Sequence, residues 1–426
     1  MAFHLRNATL VTSDSDVQTS TDLRIDDAGT ITEIGRSLAR NDGDAEMDAR
    51  GALCLPGLVN THNHSPLMIV RGMVEDKGFA PAYIPGVPQG HWLSEEDTLA
   101  LARLGVMEML CAGATTIVDY YRCPEALAQA ADEFGLRAMI GGRVMDMDTA
   151  ALAEGRFERD TTLGDETLRA ALDVIEKWDG HDRISTILAP HAPDSCSRDI
   201  FTEMRDIAAK TGKQVHTHLS QSQWEVDQLI AREGMTPTEF LDDLGLLSPD
   251  LIAAHCIFMS DSDISRFGQA NAVVAHAPIG NASFCAAARI TLCTDTKSAD
   301  MFEAMRMSLA TARWRAGMSF DFNAREVFGW ATTAGAQALK GHDATGMLRV
   351  GDPADLILLD PLAPNLHPVL DGFGIVAHSG SAANVTNVMV QGEWLIRDRR
   401  PTRVNMEDVI TEAHATAQKL WARAAS

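Results

Sequence analysis

The sequence predicts an α/β protein built on a distorted (β/α)8 TIM-like barrel, with a small β-sandwich formed by both chain ends. Three observations predict it. From about Ala52 onward, short β-rich runs alternate with amphipathic helical stretches, the pattern of a parallel sheet with crossover helices. The runs number eight, at 53–61, 115–119, 136–144, 184–191, 214–219, 250–255, 272–276 and 290–294. The first is followed by histidines and not by the Gly-rich turn that a doubly wound open sheet would usually offer.

In chain order, residues 5–50 carry short strands with Asp/Gly turns such as Asp26-Asp27-Ala28-Gly29, and residues 345–400 do the same. Strands that flank a complete barrel cannot extend it, so the two ends are expected to pair with each other. The predicted domains are a sandwich of 1–55 plus 345–404, a barrel over 56–344 and a C-terminal helix in 405–426. The barrel helices are well signalled. Ser94-Glu95-Glu96-Asp97 supplies an N-cap and an acidic first turn, Leu101, Leu104 and Met107 form an apolar face, and Gly113 stops the helix before the strand Thr115 to Asp119. The segment 65–93, with Phe79, Tyr83, Ile84, Pro85, His91 and Trp92, is too long for an ordinary connection and reads either as a lid or pocket wall or as simple packing. The Met-rich stretch Met301 to Met307 fits an amphipathic helix.

The chain has 426 residues, 46% of them apolar and 22% charged, values that exclude disordered, collagen-like and coiled-coil classes. Its net charge of −23 weighs against nucleic acid and anionic membrane surfaces as partners. No apolar run reaches the length of a membrane span, and the N-terminus lacks a signal-peptide pattern. The seven cysteines are odd in number and scattered, as expected of reduced thiols in a cytoplasm.

The sharpest chemical signal is Thr61-His62-Asn63-His64 at the end of the first strand. Side chains at i and i+2 of a strand share a face, so the two imidazoles converge, which suits a divalent transition metal; an isolated pair could equally be exposed or core histidines. Further histidines end later strands: His191, His216 and His218, His255 and His276, with Asp295 ending the last. In a barrel all strand C-termini meet at one face, where active sites lie, so coincidence becomes a weak explanation. The other histidines, His4, His181, His342, His367, His378 and His414, read as surface, loop or packing residues. Arg71, Arg122 and Arg143 stand near barrel-mouth positions and could hold an anionic substrate, although each reads individually as a structural or surface charge.

Pro56-Gly57-Leu58-Val59-Asn60-Thr61-His62-Asn63-His64, His216-x-His218, Ala254-His255-Cys256, His276-Ala277-Pro278, Thr294-Asp295 and Gly351-Asp352-Pro353-Ala354-Asp355, in that order, resemble the amidohydrolase superfamily. The chain is most similar to the branch of cytosine and guanine deaminases, methylthioadenosine/adenosylhomocysteine deaminases and triazine hydrolases. The resemblance implies one divalent metal, zinc first and iron second, held by His62, His64, His218 and Asp295. It implies His255 as the catalytic partner that polarises substrate or positions water, Asp295 as the base toward a metal-activated hydroxide, and His191 as a substrate contact, with Trp92 a candidate contact from the long segment. It also implies a small-molecule substrate and a homo-oligomer, dimer or tetramer. Other branches bridge two metals with a carbamylated lysine on the fourth strand; Arg183 to Ala189 contains no lysine, so one metal is expected.

One departure limits the reading. Deaminases of this branch typically carry His-x-x-Glu after the fifth strand, and here the segment is His218-Leu219-Ser220-Gln221. A glutamine can donate or accept a hydrogen bond and cannot be a general acid. Glu225, one turn onward, reads as a solvated or structural residue. Three outcomes follow: deamination of an amino-substituted N-heterocycle with His255 or Asp295 moving the protons and Gln221 orienting substrate; amide, ring-opening or dehalogenating hydrolysis; or a binding protein with little catalysis. Lys297 reads as a pocket cation or a solvated loop residue.

Overall fold

The computed structural model describes residues 2–12, 15–74, 86–88, 90–148, 151–152, 154–281, 289–296, 298–317 and 321–425. Phe79, Tyr83, Ile84, Pro85 and Lys297 lie outside these residues, as does the His91 side chain. Eight parallel strands form one sheet in sequential order: Leu58–Asn63, Ala114–Tyr121, Arg137–Val144, Ile184–Pro190, Val215–Leu219, Leu251–His255, Val273–His276 and Ile290–Leu292. These are called the first to eighth barrel strands below. Every residue of the second, fifth, sixth and seventh is buried, as expected of a parallel sheet covered on both faces.

The barrel closes between its first and eighth strands largely through side chains. Asn60 Nδ2 donates to Thr294 Oγ1 at 2.7 Å while Asn60 Oδ1 accepts from the Thr294 N–H at 3.1 Å. Thr61 and Thr291 share a hydroxyl bond of 2.8 Å. At the mouth, Asn63 bridges Asp295 and the Asp295 N–H donates to the His62 carbonyl at 3.2 Å. The closing seam therefore delivers His62 and Asp295 to the same place.

A nine-stranded sheet takes strands from both ends, with Leu356–Leu359 running antiparallel to Leu53–Pro56. This corrects the first predicted strand. The apolar run 53–61 is two strands, one in each sheet, because the chain turns at Gly57 from the terminal sheet into the barrel. A side chain is excluded there: a Cβ on Gly57 would fall inside the Thr115 side chain. Gly57→Ala is expected to cost about 1–3 kcal/mol of unfolding free energy by overpacking, measured as a lower denaturant midpoint at unchanged m value.

Asp355 of the Gly-Asp-Pro-Ala-Asp turn ties the two sheets together. It accepts from buried Arg137, at the start of the third barrel strand, at 2.5 Å, and from the Gln391 N–H at 2.8 Å. On the outside, helix Glu95–Cys111 begins in the expected Ser94–Asp97 capping box and ends before Gly113, at φ +93°. Helix Met406–Ala424 lies across it: Lys419 pairs with Asp97 at 2.7 Å, and Trp421 donates to the Ile69 carbonyl at 2.8 Å.

Candidate metal centre and active site

Five side chains from four barrel strands converge at the mouth. One nitrogen each of His62, His64 and His218 lie within 4.8 Å of one another, and so do single donor atoms of His62, His255 and Asp295. His62 Nε2 is 3.5 Å and His64 Nε2 3.9 Å from Asp295 Oδ1. His64 Nε2 faces His218 Nε2 at 3.1 Å. The turns that carry His255 and Asp295 depart from regular backbone: His255, Cys256 and Asp295 sit at φ +74°, +54° and +61°, in the left-handed region that non-glycine residues rarely occupy. Backbone that departs from the strand direction at the strand tip turns His255 and Asp295 inward.

The hydrogen bonds assign the tautomers. His64 Nδ1 lies 2.6 Å from the Tyr120 carbonyl and His218 Nδ1 2.8 Å from the His191 carbonyl, so each Nδ1–H donates and each Nε2 keeps its lone pair. Two lone pairs then face each other across 3.1 Å, and both ring nitrogens of fully buried His62 lack a hydrogen-bond partner. Orphaned, converging nitrogen donors beside one carboxylate fit a divalent cation such as zinc. Burial, reinforced by neighbouring imidazoles, holds His62, His191 and His218 well below the ordinary histidine range and His64 at about 3, so these rings are neutral at pH 7, the state in which histidine binds a metal.

The remaining expected residues divide. His191 sits beside the cluster, its ring centroid 4.8 Å from that of His218, with Nδ1 fixed by Ser195 Oγ at 2.6 Å. His255 stacks on His218 with ring centroids 5.1 Å apart. Half-buried Gln221 follows the fifth strand, its N–H bonded to Glu225 at 2.9 Å. His216 points deeper and bonds the Thr61 carbonyl at 3.2 Å, outside both donor groups. Buried His276 is likewise outside them. Trp92 packs against the core cluster shared with helix Glu95–Cys111, with the Arg423 guanidinium 5.5 Å from its ring centroid. Of the arginines, Arg71 pairs with Glu108 at 2.5 Å and Arg122 approaches Glu166 at 4.0 Å. Arg143 stacks 4.5 Å from the centroid of the Tyr121 ring.

Two residues of the site had no counterpart in the sequence reading. Fully buried Tyr120 places its hydroxyl 3.1 Å from both ring nitrogens of His218, and its ring against His62 and His64. Asp119, beside it, accepts the Ser65 N–H at 3.0 Å, fixing the turn after His64, and burial pushes its carboxyl up to about 7. Their position at the C-terminal end of the second strand was the available signal. Of the two readings left open for Glu225 the structure shows the structural one: it is fully buried, and burial with Asp194 nearby raises its carboxyl above the ordinary glutamate range.

Residues 53–395 match the family model described as "Amidohydrolase family". A 5'-deoxyadenosine deaminase of Methanosarcina acetivorans is 31% identical over 99% of this chain and 98% of its own length. A 5-methylthioadenosine/S-adenosylhomocysteine deaminase of Caldanaerobacter subterraneus is 27% identical over 92% of each. Among solved structures, an adenosine deaminase from Xanthomonas campestris with bound zinc superposes with a TM-score of 0.87 at 24% identity, covering 98% of both chains.

Proposed function

Since the chain belongs to the amidohydrolase family, we propose that it hydrolytically deaminates the 6-amino group of a 5'-modified adenosine, releasing ammonia and the 6-oxo nucleoside. The observation that carries this is the convergence of His62, His64, His218, His255 and Asp295 at one barrel mouth, in a chain that aligns end to end with a 5'-deoxyadenosine deaminase. The centre is that of a metal-dependent hydrolase acting on carbon–nitrogen bonds other than peptide bonds, and its substrate is a small molecule. His62, His64, His218 and Asp295 would hold one cation, zinc in our reading and iron as the alternative. When bound, it supplies Lewis-acid activation of water near neutral pH.

The side chains do the rest. Asp295 is the one carboxylate of the cluster and takes the proton released as water attacks C6, then returns it toward the leaving amine. His255, held neutral by burial, orients the water and the developing oxygen. His191 contacts the substrate, and Gln221 holds a ring nitrogen through its amide without exchanging a proton. The reading includes a cytoplasmic homo-oligomer, dimer or tetramer. The net charge of −23 supports a nucleoside over nucleic acid as substrate. No described helix is long and apolar enough to cross a membrane.

Gln221 favours a second reading, hydrolysis of an amide, ring or halide substituent, for which protonating a ring nitrogen matters less. One pair of assays separates the two. Wild-type protein is incubated with 5'-deoxyadenosine, 5'-methylthioadenosine, aminopyrimidines, chlorinated aminotriazines and a heterocyclic amide, and the same panel is run with Gln221→Glu. Ammonia from the adenosines, raised about 10-fold or more by the glutamate, is expected. Turnover of a triazine or amide substrate without ammonia, and weakened by the glutamate, would establish the second reading instead.

A further inference from the structure

We propose that Glu225 is a positioning residue of this active site: its buried carboxylate clamps the turn after the fifth strand and, through the Ser220 carbonyl, the sixth-strand turn that presents His255. The inference rests on the hydrolase reading for its kinetic consequence but not for its structural one.

Glu225 opens helix Gln223–Glu233, whose N-cap Ser222 accepts the Glu225 N–H at 3.1 Å. A glutamate at this third helical position ordinarily reaches back to the N-cap N–H and completes a capping box. Glu225 reaches past the cap. Oε1 accepts the Ser220 N–H at 2.8 Å and Oε2 the Gln221 N–H at 2.9 Å. The carboxylate therefore serves the strand-to-helix turn and not the helix. Ser220 is in the left-handed region at φ +48°, and its carbonyl accepts two N–H groups of the neighbouring turn, Ile257 at 3.1 Å and Phe258 at 2.9 Å. Cys256 N–H donates to the Leu219 carbonyl at 2.9 Å. His255 and Cys256 hold positive φ, a conformation that persists where surrounding bonds over-determine it. The chain of contacts runs from Glu225 through the 219–221 peptides to 256–258, joining the loops that carry His218, Gln221 and His255.

A carboxyl group is required because each of its oxygens accepts a backbone N–H, which an amide nitrogen cannot do. In Glu225→Gln one of the two becomes an NH2 group facing an N–H, so one bond is lost and replaced by a donor–donor contact. The zinc-loaded wild type and Glu225→Gln are compared by hydrogen–deuterium exchange, by bound zinc per chain, and by kcat and KM with the best substrate of the panel above. We expect faster amide exchange at 220–221 and also at 257–258, zinc content unchanged, kcat lower by about 10–100-fold and KM within about threefold. Glu225→Asp, which keeps the carboxyl group but withdraws its oxygens, is expected to show the same pattern and serves should the glutamine variant not fold. Unchanged exchange at 257–258, or a kcat within about twofold of wild type in a variant whose 220–221 amides are deprotected, would overturn the proposal. A wild type that turns over nothing defeats the hydrolase reading alone, since the exchange arm still reads the clamp.

Discussion

Asp295→Asn is expected to lower kcat by about a thousandfold or more, about 4 kcal/mol of transition-state stabilisation. The substitution preserves shape, and the residue's backbone role in closing the barrel, its N–H on the His62 carbonyl, is untouched. What it removes is the one carboxylate among the converging donors, 3.5 Å from His62 and 3.9 Å from His64, and with it the base that the proposed mechanism assigns to the attacking water. Steady-state kinetics beside a metal assay separate the two contributions. Turnover at the wild-type rate in the asparagine variant would remove Asp295 from the mechanism.

Stripping the metal with a chelator is expected to abolish turnover and to lower the thermal midpoint, both restored by adding zinc. A ligand that binds only the folded state stabilises it by about 4 kcal/mol when present at about a thousandfold over Kd. The donor set supplies the affinity behind that stabilisation. Without a cation, the lone pairs of His64 and His218 face each other across 3.1 Å and both nitrogens of buried His62 are unsatisfied. Calorimetry of stripped and reloaded protein measures the shift. An unchanged midpoint with full activity would mean that these histidines hold no functional metal.

Much of this architecture was legible from sequence because the barrel converts order along the chain into adjacency in space. Histidines ending the first, fourth, fifth and sixth strands had to meet the aspartate of the last. The domain boundary between residues 55 and 56 is read from sequence, but the break in the strand is not: 53–61 reads as one apolar strand, and the split at Gly57, crowded by Thr115, shows only in the structure. His216 shares the spacing of His218 but points one layer deeper, a difference set by strand register and not by residue type. Tyr120 was hidden in an apolar run, where aromatic residues are common core. Glu225 reads as either a solvated or a structural first-turn acid, and sequence cannot choose; its burial goes with the left-handed Ser220 turn, whose Ser220 and Gln221 N–H groups it accepts.

The most direct test of the central claim is the stoichiometry of ammonia to nucleoside consumed, with 5'-deoxyadenosine as substrate and zinc-loaded against stripped protein. One ammonia per nucleoside converted, dependent on the metal and accompanied by the 6-oxo product, is the result predicted. Nucleoside left intact by the loaded protein, or consumed without ammonia, would contradict it.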